Sequence, residues 1–341
     1  MKTSLLDRRQ FVANSSLTLA ATALSAAAIT QPAAALLAKD TPALPIIDCH
    51  QHLWNLEKFK LPWLASAPEV FRHTYMTKEY QAAAEGLNIV KAVYMEVDVD
   101  PAQQIAEAEQ LIDICQSKQG ITTAAVISGR PAADSFKDYM ARFKDIPYIK
   151  GVRQVLHAPE TKAGTCLEKN FVSGIRLLGE MGKSFDLCMR PMELGDGVKL
   201  ADQCPATRFI VDHCGNADVA AFRSSSATSS DTTAKPWHDA ETWKKQMGAF
   251  AARKNVMCKI SGIVARAPKG WTADDLAPIV NFCWNEFGPD RLLFGSDWPV
   301  CLVATSYRQW VEALLKIIGD RPIADQRKLL HDNAVKFYGL N

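Results

Sequence analysis

Ile46-Ile47-Asp48-Cys49-His50-Gln51-His52 is a short apolar run that closes on two histidines two residues apart. Side chains two apart along a strand share a face. The spacing therefore predicts a strand whose Asp48, His50 and His52 point inward together, with Ile47, Cys49 and Gln51 turned toward packing helices. The same unit, an apolar run followed by a stretch with helical spacing, recurs along the chain. Candidate strands are 44–50, 89–97, 121–128, 148–155, 185–190, 208–213, 256–261 and 291–296. Between most of them lie amphipathic segments such as 102–118 and 132–143. Alternating strand and helix implies a parallel sheet. Eight such strands over roughly 290 residues predict one α/β domain, a single (β/α)8 barrel, rather than an open doubly wound sheet. Neither a G-x-G-x-x-G nor a G-x-x-x-x-G-K-[ST] loop occurs, so nucleotide-binding versions of the fold lose their usual support.

Composition agrees with a globular domain and narrows its partners. The 341 residues are 48% hydrophobic and 22% charged, enough apolar material for one sizeable core. Lys plus Arg is 39 against 37 for Asp plus Glu, so no charge excess points to nucleic acid. Nine cysteines without a C-x-x-C pair fit neither a paired disulfide framework nor a cysteine zinc ribbon. Cys49, Cys188, Cys214 and Cys258 sit in or beside apolar runs, where a free thiol behaves as a small hydrophobe.

The first 35 residues have a different character. Arg8-Arg9-Gln10-Phe11 precedes a mild, alanine-rich run from Leu17 to Thr30, and Ala33-Ala34-Ala35 supplies small residues for a signal peptidase. The run is too short to span a bilayer securely. Residues 1–35 thus read as a removable twin-arginine signal peptide, and 44–341 as the barrel. The expected partners are the twin-arginine export machinery and a small-molecule substrate, the expected location is the periplasm, and no stable membrane insertion follows cleavage. Loss of Lys2, Arg8 and Arg9 against Asp7 would leave the mature chain neutral.

Two connections are long enough to suggest function. Residues 54–77 are aromatic and proline-containing, and 224–233 (SSSATSSDTT) are low-complexity, followed by Lys235-Pro236-Trp237-His238. In a barrel both lie at the C-terminal face, where active sites are built. Candidate chemistry falls at the strand ends. His213 closes Phe209-Ile210-Val211-Asp212, and Asp297 follows Leu292-Leu293-Phe294-Gly295-Ser296, with Trp298 as a flat apolar wall and Pro299 stopping the strand. A carboxyl group after a buried run must be paired, hydrogen-bonded or metal-bound. Arg153 shares parity with Val155 and His157, which aims it inward, where a guanidinium stabilises an oxyanion or clamps a carboxylate. Glu96 and Arg190 end strands two and five and are candidate substrate contacts. Lys259 has no direction fixed by its spacing.

Taken in order, DCHQHLW (48–54), KGVRQVLH (150–157), FDLCMRP (185–191), VDHCGNAD (211–218), CKISG (258–262) and LLFGSDWPV (292–300) carry a resemblance. Residues 44–341 resemble the amidohydrolase superfamily, in the branch related to 2-pyrone-4,6-dicarboxylate lactonase and L-fuconolactonase. The resemblance implies a reaction centre of His50, His52, His213 and Asp297, serving as substrate or metal ligands, with Asp297 taking a proton from the attacking water. Lys150 begins strand four instead of ending it, so it does not match the carboxylated lysine of two-metal members. One divalent ion such as Zn²⁺ or no metal at all are the two expectations that remain. The resulting expectation is a hydrolase that opens a lactone of a sugar acid or related small acid. A non-oxidative decarboxylase and an exported binding protein without turnover are the alternatives.

The export expectation has a direct check. Exchanging Arg8 and Arg9 for Lys should leave the precursor in the cytoplasm, whereas unchanged recovery from the periplasm would remove the twin-arginine reading.

Overall fold

The computed structural model describes residues 43–223 and 236–340. The signal-peptide expectation, the 224–233 segment and Lys235 lie outside the described residues. Eight strands follow in chain order: β1 Ile46–Gln51, β2 Ile89–Met95, β3 Thr122–Ser128, β4 Ile149–Val155, β5 Ser184–Cys188, β6 Arg208–Val211, β7 Val256–Ile260 and β8 Leu292–Phe294. All pair in parallel with their sequence neighbours. The seam between last and first is drawn together beyond β8, where His52 N donates to Trp298 O (2.8 Å) and Asp297 N to His50 O (2.9 Å). The result is the expected (β/α)8 barrel, nearly closed.

Eight main helices cover it: α1 Thr77–Ala84, α2 Gln104–Ser117, α3 Phe136–Ala141, α4 Lys169–Glu180, α5 Leu194–Gln203, α6 Ala240–Ala251, α7 Ala273–Phe287 and α8 Tyr307–Ile318. Their buried residues follow helical spacing, as Trp310, Leu314 and Ile318 do in α8. That helix starts at a capping box in which Ser306 and Gln309 satisfy each other's backbone N–H. Two terminal helices, α9 Ile323–Arg327 and α10 Asn333–Tyr338, close the chain.

The barrel interior overturns one expectation about β1. Ile47 and Cys49 pack in one cluster with Val93 and Met95 of β2, Ala124 and Val126 of β3, Ile210 of β6 and Leu293 of β8. Only the inside of a barrel lets β1–β3 meet β6 and β8 in this way. Ile47 and Cys49 therefore point inward and Asp48 outward, the reverse of the simple two-residue reading. His50 and His52 nonetheless reach the mouth, because the ladder to β2 slips by one residue between Asp48 and Gln51. Such a bulge changes which face the following side chains occupy. At the opposite end, Ala334, Tyr338 and Leu340 join the same interior cluster and plug the barrel.

Asp48 is fully buried and gathers donors from four places. Tyr80 of α1 and Tyr307 of α8 each donate at 2.8 Å, Ser296 after β8 donates through N (2.8 Å) and Oγ, and His50 N lies at 3.1 Å. The connection after β1 is ordered by aromatic contacts. Trp54 pairs with Tyr75 through two backbone bonds and meets Trp63, Phe71 and Tyr75 edge-on. All nine cysteines are free and buried. Among the described residues no helix is long and apolar enough to cross a membrane.

Asp48→Ala would strand several buried donors at once, each worth about 1–3 kcal/mol when left unpaired. Denaturant unfolding should show a loss of at least about 3 kcal/mol. A loss below about 1 kcal/mol would mean that the carboxylate does not hold the seam.

Candidate active site

The bulge in β1 delivers two imidazoles to one carboxylate. His52 Nδ1 lies 2.9 Å from the carbonyl of Met95. A carbonyl only accepts, so Nδ1 carries the proton and Nε2 faces Asp297 Oδ1 at 3.3 Å. His50 Nε2 is 3.6 Å from the same oxygen. His213 closes the group, its ring centroid 4.4 Å from that of His50 and its Nδ1 3.0 Å from Ser261 Oγ.

Unusual backbone sets these positions. His213, Cys214, Gly215 and Asn216 all have φ between 51° and 67°, one left-handed turn at the end of β6. Three of the four carry a Cβ, and each such residue costs roughly 1–2 kcal/mol there. Asp297 has φ 57° as well. Two glycines let the rings sit this close. A Cβ on Gly262 would run into the His213 ring, and one on Gly295 would stand 2.6 Å from His50 Cβ.

Beneath the histidines lies a floor of paired charge. Lys259 of β7 is fully buried and donates to Asp186 Oδ2 of β5 (2.7 Å) and to Asp212 Oδ1 (2.9 Å). Its Nζ also stands 3.3 Å from His50 Nδ1. Arg153 of β4 is clamped by Glu96, through Nε to Oε1 and Nη2 to the carbonyl, both 2.6 Å. Its remaining Nη1 lies 3.3 Å from His50 Nε2. Burial, then Lys259, drives the His50 pKa well below its ordinary value, and burial lowers His213 too, so both are neutral near pH 7. Burial pushes Asp186 up to about 7 against the pull of Lys259. Burial also acts to raise Asp297, but His213, His52 and His50 outweigh it and hold the carboxyl below the usual range.

Above this floor opens a cavity of about 840 Å³ at the C-terminal ends of the strands, within the usual range for small-molecule sites. His52, His213, Asp297 and Arg153 form its base, and Trp54, Trp63 and Phe71 one apolar wall. Arg130, His157 and Arg266 line the other side. Arg130 is paired with Asp98 at 3.1 Å. Arg266 donates to Asn216 Oδ1 (3.1 Å) and lies 4.4 Å over the Trp237 ring, with no carboxylate partner among the described residues. Burial and Arg266 push His157 down to about 4.

Four expected substrate contacts do not line this cavity. His50 is fully buried beneath it, its ring between Arg153 and Lys259. Glu96 is spent on Arg153. Arg190 ties Glu193 (2.9 Å) to the carbonyls of Ala158 and Thr161, pinning the segment after β4. Trp298 is 1% exposed and packs edge-on against Tyr75 and Tyr80 behind the wall. Conversely, the roles of Asp186 and Asp212 went unread, although each follows or interrupts an apolar strand on the inward parity. Arg266 and Arg130 lie outside the strands, where spacing carries no directional signal.

Comparison with known proteins follows the same span. An uncharacterised protein of Sinorhizobium fredii is 29% identical over 310 residues, covering 86% of this chain and 98% of its own length. An L-fucono-1,5-lactonase of Burkholderia multivorans is 26% identical over 307 residues, covering 86% of this chain and 96% of its own. The crystal structure of a Burkholderia multivorans amidohydrolase with bound zinc superposes with a TM-score of 0.75 at 23% identity, covering 87% of this chain and all of the other. The family model for amidohydrolases matches residues 47–340, from the inward face of β1 to the barrel plug, and the chain belongs to that family.

Proposed function

We propose that this protein is a periplasmic hydrolase that opens the lactone ring of a small oxygen-rich acid. The observation that carries the reading is the Asp297 carboxylate held against three imidazoles at the base of a cavity, beside a clamped guanidinium. Ring opening by water needs a base, a positioned carbonyl and a charge to meet the developing oxyanion. Asp297 is ionised at neutral pH, accepts the proton of the attacking water, and returns it to the ring oxygen as the acyl C–O bond breaks. Arg153 has two of its nitrogens fixed by Glu96, so Nη1 is preorganised toward the base of the cavity and receives the carbonyl oxygen. His52 and His213 orient the water and the ring. The aromatic wall suits the face of a ring, and Arg266, which has no carboxylate partner among the described residues, suits its oxygen-rich edge. The lactonase name of one relative agrees with this assignment.

The base of the cavity also suits one divalent cation. His50, His213 and Asp297 place three donor atoms within 4.8 Å of one another, and two imidazoles with a carboxylate are a zinc-type set. Bound there, such an ion would polarise the carbonyl and acidify water. A second ion has no bridging lysine, since Lys150 lies at the start of β4.

Asn tolerates positive φ better than most residues, so Asp297→Asn keeps the backbone while losing the base. Its kcat on the best lactone should fall by roughly 10²–10⁴-fold with KM little changed, read by a pH indicator across a lactone panel. A folded variant with near-full turnover would remove this carboxylate from the mechanism. Release of CO₂ without acid from any carboxylated substrate would favour the decarboxylase, and no turnover at all the binding protein.

Metal analysis of the purified chain should find at most about one divalent ion, as one donor set allows. His50→Ala should lose it and Cys115→Ala, on α2, should keep it. An ion retained by His50→Ala would belong elsewhere, the other donor groups among the described residues being Cys214, Cys258 and Cys283, and Cys188, Asp212 and His213.

A further inference from the structure

The N-terminal end of the barrel carries a second cavity, of about 450 Å³, on the side away from the reaction centre. Its walls come from the segment before β4, the turns into β5 and β6, and the end of α10. They bring five cations together, Lys144, Lys150, Lys183, Arg208 and Lys336, against the single acid Asp145. Arg208 is committed to the walls themselves. It donates to the carbonyls of Phe337 and Gly182 and lies 4.5 Å over the Phe337 ring.

The lysines are not so committed. Lys183 is 9% exposed, and its ammonium has one acceptor, the carbonyl of Ile149 at 2.6 Å, for three donors. Lys150 is half-buried and makes no hydrogen bond or ion pair through its side chain among the described residues. Its Nζ hangs over the turn at Gly339, 3.9 Å from where a Cβ would stand. Burial pushes Lys150 down from its ordinary pKa with help from Arg208, and burial pushes Lys183 down with help from Lys150. Cations that repel one another in a concave site, with donors left over, gain most from a compact anion.

We propose that this basic pocket binds a small multiply charged anion of the phosphate type, either inorganic phosphate or a phosphate monoester. Lysine ammoniums act as point charges toward phosphate oxygens, and the cavity has room for the group that an ester carries. The site is separate from the substrate cavity, which shares none of these residues.

Calorimetric titration of the full chain with inorganic phosphate, and separately with glycerol phosphate, tests this at low ionic strength. One saturable site is expected. Lys150→Gln should weaken binding about tenfold, the worth of one charge-assisted hydrogen bond. The exposed pair Lys144→Gln with Lys336→Gln should weaken it as well, and serves where the half-buried change fails to fold. Arg266→Gln, in the other cavity, should leave it intact. Tighter binding of the monoester assigns the pocket to an ester, and equal or weaker binding assigns it to the free anion. No saturable heat up to about 10 mM would overturn the proposal. So would loss of binding in Arg266→Gln with retention in the lysine variants.

Discussion

The β1–β8 seam is the constraint on which the site depends, and Asp48 is the group that holds it. A parallel barrel has to bring its first and last strands together without a hairpin to guide them. Here the last strand is only Leu292–Phe294, so ladder bonds alone bind it weakly to β1. One buried carboxylate on β1 supplies the rest by accepting from Ser296 and from tyrosines on the helices either side. It faces away from the cavity, yet it fixes the distance from His50 and His52 to Asp297. The slip in β1 and the positive φ of Asp297 then turn those three side chains toward one another.

Strain and charge are concentrated at the same strand ends. The left-handed turn at 213–216 costs free energy that the surrounding packing has to offset. That turn aims His213 at the cavity, Cys214 back into the core and Asn216 at Arg266. The charge floor is similarly over-determined. Removing one member of a buried pair such as Lys259 with Asp212 leaves an uncompensated charge, which costs about 3–5 kcal/mol in comparable cases. Burial, with Lys259 beside the ring, holds His50 neutral, the form in which an imidazole accepts a proton or binds a cation.

Much of this was legible in the sequence, for physical reasons that differ by residue. Eight apolar runs alternating with helical spacing specify the barrel because each strand must bury both faces. Asp297 and His213 were visible as polar residues ending such runs. The facing of β1 was misread because strict two-residue alternation cannot see a bulge, and only the pairing with β2 reveals it. Arg190 and Trp298 were plausible as strand-end residues, but a strand end also has to anchor the loop that follows. Arg190 does so through the carbonyls of Ala158 and Thr161. Arg266 was invisible because a loop residue's direction is set by its tertiary neighbours, here Asn216 and Trp237.

The barrel's lower layer matters for chemistry as well as for stability. Below the charged floor the interior is Ile47, Cys49, Val93, Met95 and their apolar neighbours, sealed by Ala334, Tyr338 and Leu340. Tyr338 reaches far enough up that burial first and then Asp186 push its phenol well above the ordinary range. Coulomb interactions strengthen as the local dielectric falls, so a sealed apolar layer raises the effect of Lys259 on His50. Water admitted from beneath would screen them. The plug at one end of the barrel is thus part of what keeps the histidines at the other end neutral, although it touches none of them.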